Sequence, residues 1–451
     1  MAIRYRNILI LLVSCCVNIG SRTSAQNGDH SAPVNRILQG VEQDYSYLAS
    51  LYEHLHLNPE LSRNEAKTAD RLSAELKDLG FEITRKVGGH GLVGVLNNGD
   101  GPTVLVRTDL DALPIEEKTG LAYASRVRTL DPQGTEVGVM HACGHDVHMT
   151  VFVGTARMLS KLRDRWRGTL VMIGQPAEEI GLGARAMLED GLFTRFPRPD
   201  YCLALHANAS MAAGTIGICE GYALANVDFV DLKIRGLGGH GAYPHTTKDP
   251  VVIAAQIVLA LQTIVSREIK PVEPAVVTVG AIHGGTKHNI IPDEVELQLT
   301  LRSYSDEVRN QTLAAIERIS TGIALAAGVP EDRLPTMKVR EGFTPATYND
   351  PELARRVARA TRTILGQENV LSAEPVMGGE DFGRYGRVSP EIPIHIFWLG
   401  AVKPEVIAES KKRSQPLPSL HSNLFAPDAE PTIKTGVKAM SAAALDLLAG
   451  K

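Results

Sequence analysis

Cysteine is scarce in this chain, and charge of neither sign dominates it. Five cysteines occur in 451 residues, and Cys15 and Cys16 fall inside an apolar N-terminal run. Downstream, Cys143, Cys202 and Cys219 form an odd set that is no disulfide framework. Lys and Arg number 47 against 51 Asp and Glu, for a formal net charge of −4. With no long basic block, the footprint of a nucleic-acid or anionic-membrane binder is missing. ILILLVSCCVNIG, near the N-terminus, is too short to span a bilayer as an anchor.

What is present fits a globular protein. The length and the 44% hydrophobic content imply two or three domains. Arg4 and Arg6, the apolar run and the small residues Thr23-Ser24-Ala25 before Gln26 make residues 1–25 a signal peptide, so the mature protein is expected to be exported, periplasmic or secreted. Leu12-Val13-Ser14-Cys15 resembles a lipoprotein box and offers an alternative, lipid anchoring at Cys15.

Short, unbroken apolar runs alternate with helical stretches: GLVGVLN, TVLVRTDLD, a helix from about 148, GTLVMIG, a helix near 183–190, and YCLALHA. Such runs suit strands covered on both faces, hence an α/β fold with a mostly parallel sheet. Before them, VEQDYSYLASLYEHLHLNPELS reads as a helix ended by Asn58-Pro59, with His54 and His56 as packing histidines. Ser62 and Glu65 are placed for a capping box, Leu72, Leu76 and Leu79 mark one face, and Gly80 closes that helix. Residues 226–340 differ. DEVELQLTLR alternates with strict period two, the pattern of a sheet with one wet face. Strand, helix, strand, strand, helix, strand is expected there, as an α+β unit inserted between 26–225 and 341–451.

The polar clusters follow the strands. HACGHDVH at 141–148 puts Cys143 and His145 two apart, where extended backbone lets both reach one ion; a polar His-rich loop is the other reading. In Glu178-Glu179 neighbouring carboxylates diverge, so one can bind a metal while the other faces a water; an acidic pair opening a helix is the duller alternative. His206 ends an apolar strand and fits a ligand or a core histidine, whereas His421 sits among polar residues as a loop ligand. Arg302, at a strand end, can hold a carboxylate through two hydrogen bonds or form a surface ion pair. His240 and Asn289 can steady a carbonyl oxygen or merely furnish loops. Gly378 and Gly379 allow close approach to a ligand, and Asp381 can orient a neighbour.

Taken together, RTDLDALP, MHACGHDVH, GQPAEE, LALHA, GGHGAYPH, HNIIPDEVEL, MGGEDF and LHSNLF resemble, in this order, the aminoacylase and hippurate hydrolase family of dinuclear metallo-amidohydrolases. That family includes plant hydrolases of auxin-amino-acid conjugates and, more distantly, carboxypeptidase G. The resemblance implies a zinc-peptidase-like catalytic domain with an inserted lid and dimerisation domain, a homodimer, and two divalent ions. Cys143 is then the bridging ligand, His145, Glu179, His206 and His421 complete the two sites, and Glu178 is the general base. Asp111 would orient a metal ligand, His240 would reach the partner's active site as an oxyanion donor, and Asn289 and Arg302 would lie near the substrate carboxylate. Lys287-His288 depart from the family pattern, which bears on substrate preference.

The expected activity is hydrolysis of N-acyl or N-aminoacyl amino acids. A dipeptidase or aminopeptidase would use the same centre. A non-catalytic binding protein would lack a base or a ligand, and none is lacking. Thiolate, imidazole and carboxylate together admit zinc, manganese, cobalt or nickel.

Overall fold

The computed structural model describes residues 31–340 and 342–449. The candidate export segment and Cys15 lie outside the described residues. Eight strands form the large sheet, in the order Glu82–Val87, Gly91–Asn97, Thr169–Gln175, Thr103–Asp109, Tyr201–Ala212, Ile394–Val402, Ile216–Ile218 and Val370–Ser372. The four central members run parallel, and the first two join antiparallel at one side. All seven residues of Thr169–Gln175 are buried. The cause is visible along single strands. Val106 and Leu203 point into one core while Leu105 and Ala204 point into another, so both faces need apolar residues and no alternation survives.

The first core is closed by the helices Ser31–Leu57, His145–Lys161, Pro351–Leu365 and Ala429–Leu448. His145–Lys161 starts three residues earlier than its apolar pattern suggests, because Gly144, in the left-handed region at φ +82°, turns the chain directly into it. His145 and His148 therefore share its first turns.

A second sheet has the order Ala275–Gly284, Glu294–Ser303, Asn226–Arg235, Thr336–Val339, all antiparallel. Two helices, Pro250–Thr263 and Asp306–Ala326, cover it over a separate core. In Glu294–Ser303 every second residue is buried, as the period-two pattern requires. The chain enters and leaves this unit through adjacent segments: Val227 and Thr344 exchange backbone hydrogen bonds of 2.8 and 3.0 Å, and Gly221–Leu224 pairs with Thr347–Asn349.

Two local expectations change. Ser62 and Glu65 form no capping box; Glu65 itself occupies the N-cap without a side-chain cap bond. The Ser62 hydroxyl donates to Asp111 (2.6 Å), and the Glu65 carboxylate accepts from the Arg63 and Ala177 amides (2.8 Å each). Tertiary partners outcompete the local motif. Gly80, by contrast, ends the Ala66–Asp78 helix at φ +86° as expected.

His56 does more than pack. It is 1% exposed, with Nδ1 2.6 Å from Asp146 and Nε2 3.1 Å from Glu117. It thereby ties the end of the first helix to the start of His145–Lys161. Burial alone would lower its pKa, but hydrogen bonds to Asp146 and Glu117 outweigh that and raise it to about 10. A raised folded-state value means stability fully present below the unfolded value of about 6.5 and lost as pH climbs through 10. We predict that His56→Gln destabilises the protein by about 3–5 kcal/mol at pH 6, the usual cost of breaking a buried pair. In urea titrations the gap to wild type should narrow by pH 10; a pH-independent gap would contradict the buried ion pair.

Candidate metal centre

The site lies at the carboxyl ends of the central strands, where open α/β sheets bind ligands. Cys143, His145 and His206 present donor atoms within 4.8 Å of one another, and so do Cys143, Glu179 and His421. The Cys143 thiol belongs to both groups. Its sulfur is 3.5 Å from His206 Nε2 and 3.3 Å from His421 Nε2, and His421 Nε2 is 3.5 Å from Glu179 Oε2. Side chains from positions 143 to 421 thus converge on one point.

Each ring is aimed from behind. His145 Nδ1 donates to the Asp111 carbonyl and His206 Nδ1 to the Ala207 carbonyl, both at 2.8 Å, which aims each Nε2 at the centre. The Asp111 carboxylate accepts from Ser62 and from the Glu179 amide (3.0 Å), so Asp111 holds His145 through its backbone carbonyl and the glutamate turn through its side chain. That turn is strained. Ala177 has φ +53°, held by its amide bond to Glu65, and the chain then sends Glu178 and Glu179 in different directions.

The residues fit divalent cations. His145 Nε2 and Glu179 Oε1 are buried with no hydrogen-bond partner, an expensive state unless an ion completes them. Negative charge is also in excess. Burial, with Glu380 and Glu179 nearby, pushes the Glu178 carboxyl well above the usual range, and burial raises Glu179 to about 7. Burial and the same glutamates raise the Cys143 thiol, while burial and His148 keep His206 neutral, the form that ligates. Protons hold here what a bound cation would displace.

Behind the centre lies a network the sequence did not reveal. Arg107, wholly buried, donates to Asp109 (2.7 Å), Glu380 (2.8 Å) and Gln175 (3.0 Å), with Asp381 at 3.5 Å. Asp109 in turn accepts from His148 Nδ1 (2.8 Å), whose Nε2 accepts from the Ala207 amide (2.8 Å). His148 is therefore a brace between two strands. His141 is buried with neither ring nitrogen bonded, and burial lowers its pKa to about 4. Asp381 accepts from Gln175 and the Ala184 amide, the orienting role expected of it.

Beside the centre opens a cavity of about 830 Å³, lined by Cys143, Glu178, Glu179, His206, His421, Trp398 and Arg302. Arg302 is half-buried and pairs with no carboxylate among the described residues. Gly379 is needed for another reason than ligand approach: a Cβ there would meet Val227 Cγ2 at 2.3 Å, so it lets the second sheet sit close. His240 and Asn289 are absent from this cavity. They lie together on an exposed ribbon, His240 paired with Ile290 and Gly241 bonded to the Asn289 carbonyl.

Residues 105–415 match the profile of the peptidase family M20/M25/M40. The chain belongs to that family. It is 37% identical over 362 residues to an N-acetyl-L-cysteine deacetylase of Bacillus subtilis, covering 79% of this chain and 80% of that protein. With the IAA-amino acid hydrolase ILR1-like 4 of Arabidopsis thaliana it shares 32% over 422 residues, 93% and 90% of the two chains. A Bacillus subtilis structure described as a dinuclear metal-binding peptidase of the M20 family superposes with a TM-score of 0.73 at 30% identity, covering 90% of this chain and 99% of that one. The M20 protein is a metal-dependent hydrolase of amide bonds that uses two divalent ions, on a catalytic domain with a lid.

Removing Arg107 would strand buried carboxylates. Arg107→Met should cost about 3–5 kcal/mol in urea denaturation, as for other broken buried pairs; a loss below about 1 kcal/mol would show those carboxylates to be neutral already.

Proposed function

We propose that this M20 enzyme hydrolyses N-acyl amino acids, with Cys143 shared between two metal sites, His145 and His206 completing one, Glu179 and His421 the other, and Glu178 as general base. The observation that carries the reading is the shared thiol, flanked by two donor groups, with a spare buried glutamate beside them. Two divalent ions bound there supply Lewis acidity, which polarises a carbonyl and makes water a stronger acid. Glu178 takes a proton from the attacking water and passes it to the leaving nitrogen, so the amide becomes a carboxylate and an amine. Its high proton affinity in this cluster suits the second task. Arg302 receives the substrate carboxylate, and its missing partner among the described residues supports that role. Glu178→Gln should keep two ions per chain by elemental analysis and lose more than about 100-fold in kcat, the usual scale for a removed general base. Cys143→Ala should lose ions. Near-normal turnover in the first variant, or full metal content in the second, would contradict these roles.

The lid is also read as the dimer contact. The Pro250–Thr263 helix carries no charged side chain and exposes Val251, Val252 and Leu259, the last at 74%. A second copy would cover this face, and closed two-fold pairing is the commonest assembly. His240, exposed on the same unit, would then serve the partner's centre as an oxyanion donor, with Asn289 beside it. The arrangement is testable by complementation. His240→Ala and Glu178→Gln, each nearly inactive, should regain about a quarter of wild-type activity when unfolded and refolded together, since half the dimers are mixed and each holds one intact site. No recovery would place His240 in its own subunit's site or in none.

A further inference from the structure

We propose that the strap formed by residues 403–420 is a selectivity element for the acyl group, and that it favours uncharged, apolar acyl groups over the free ammonium of a dipeptide. The inference rests on the reading of the centre just given. It starts from the order of atoms in the substrate. A carboxylate on Arg302 is two atoms from the scissile nitrogen, so the acyl group must extend beyond the metal centre, away from the second sheet. Next to the ligand candidates, the cavity is walled by Ser410, Leu417, Ser419 and Leu420 of the strap, which runs straight into His421, and by Asn208 and Ala209, two and three residues past His206.

That wall offers an ammonium group no carboxylate, only the Ser410 and Ser419 hydroxyls and the Asn208 amide. It contains no acidic side chain. The acids lining the cavity are Glu178, Glu179, Glu380 and Asp381. Two of these are the base and a ligand in the reading above. Glu380 is spent on Arg107 and the Phe382 amide, and Asp381 on Gln175, Ala184 and Arg107. Withdrawing an unpaired ammonium from water is unfavourable, whereas an apolar acyl group gains from burial.

The strap's backbone is constrained locally, around the turn and Leu417. Its helix, Pro404–Arg413, buries no residue, so the fold does not need it as core. Ser414 ends that helix in the left-handed region at φ +54°, and the Ser410 hydroxyl and amide-linked Gln415 close the turn. Leu417 then stands between Pro416 and Pro418, which fix their own φ and bias Leu417 to extended backbone. The backbone at Leu417 is thus restricted before substrate arrives.

A matched pair tests the proposal: N-(3-phenylpropanoyl)alanine differs from phenylalanylalanine by the free amino group alone. Wild-type holoenzyme should show at least about tenfold higher kcat/KM for the acyl compound, and calorimetry on Glu178→Gln protein should show tighter binding of it. Leu417→Ala should lower kcat/KM for the phenylpropanoyl substrate about tenfold more than for N-acetylalanine. Leu417→Glu should shift preference toward the dipeptide. Equal or better use of the dipeptide by wild type, or a Leu417→Ala effect that is the same on both acyl substrates, overturns the strap's role while sparing the amidohydrolase reading. If holoenzyme neither binds nor cleaves any of the three compounds, both readings fall.

Discussion

Buried negative charge is the constraint on which this structure depends. Asp109, Asp111, Glu178, Glu179, Glu380 and Asp381 are gathered behind and around one thiol, almost without water. Such a collection is tolerable only when divided into compensated parts. Arg107 neutralises the rear, toward Glu380, Asp381 and one oxygen of Asp109. His148 caps the other oxygen of Asp109. What remains uncompensated is the front, where His145, Glu178, Glu179 and Cys143 retain protons that divalent ions would replace. Arg107 therefore does more than hold strands together: by absorbing the rear charge it leaves the front as the place where cations are needed.

The ligand candidates were legible because metal chemistry restricts residue type so severely. A thiol and an imidazole two apart, a glutamate pair after a strand and a histidine at a strand end stand out against apolar neighbours. The structure gathers donor atoms of Cys143, His145 and His206, and of Cys143, Glu179 and His421, into two groups that share the thiol. The parallel sheet was legible for a related reason, since strands covered on both faces cannot alternate. His240 and Asn289 were legible as unusual residues but not as a site, because their place in a single chain is a solvent-facing ribbon.

The supports were not legible. Ser62 and Glu65 have the spacing of a capping box, and local rules favour that reading. Their bonds to Asp111, Arg63 and Ala177 depend on which loop the large sheet brings beside them, which no short-range pattern encodes. His56 looked like a packing residue for the same reason: its partners Glu117 and Asp146 are 61 and 90 positions away. Arg107 was hidden in a strand that otherwise reads as apolar. In each case the information lies in tertiary proximity, and residues that aim ligands are found by following hydrogen bonds outward from them.

The paired segments at the root of the second sheet have a topological consequence. Entry and exit are hydrogen-bonded to each other through Val227 and Thr344, and the flanking strands Gly221–Leu224 and Thr347–Asn349 continue the pairing. The whole insertion hangs from the large sheet as a loop hangs from a hairpin. A unit so attached can be lengthened, shortened or exchanged without rethreading the strands that carry the metal-ligand candidates.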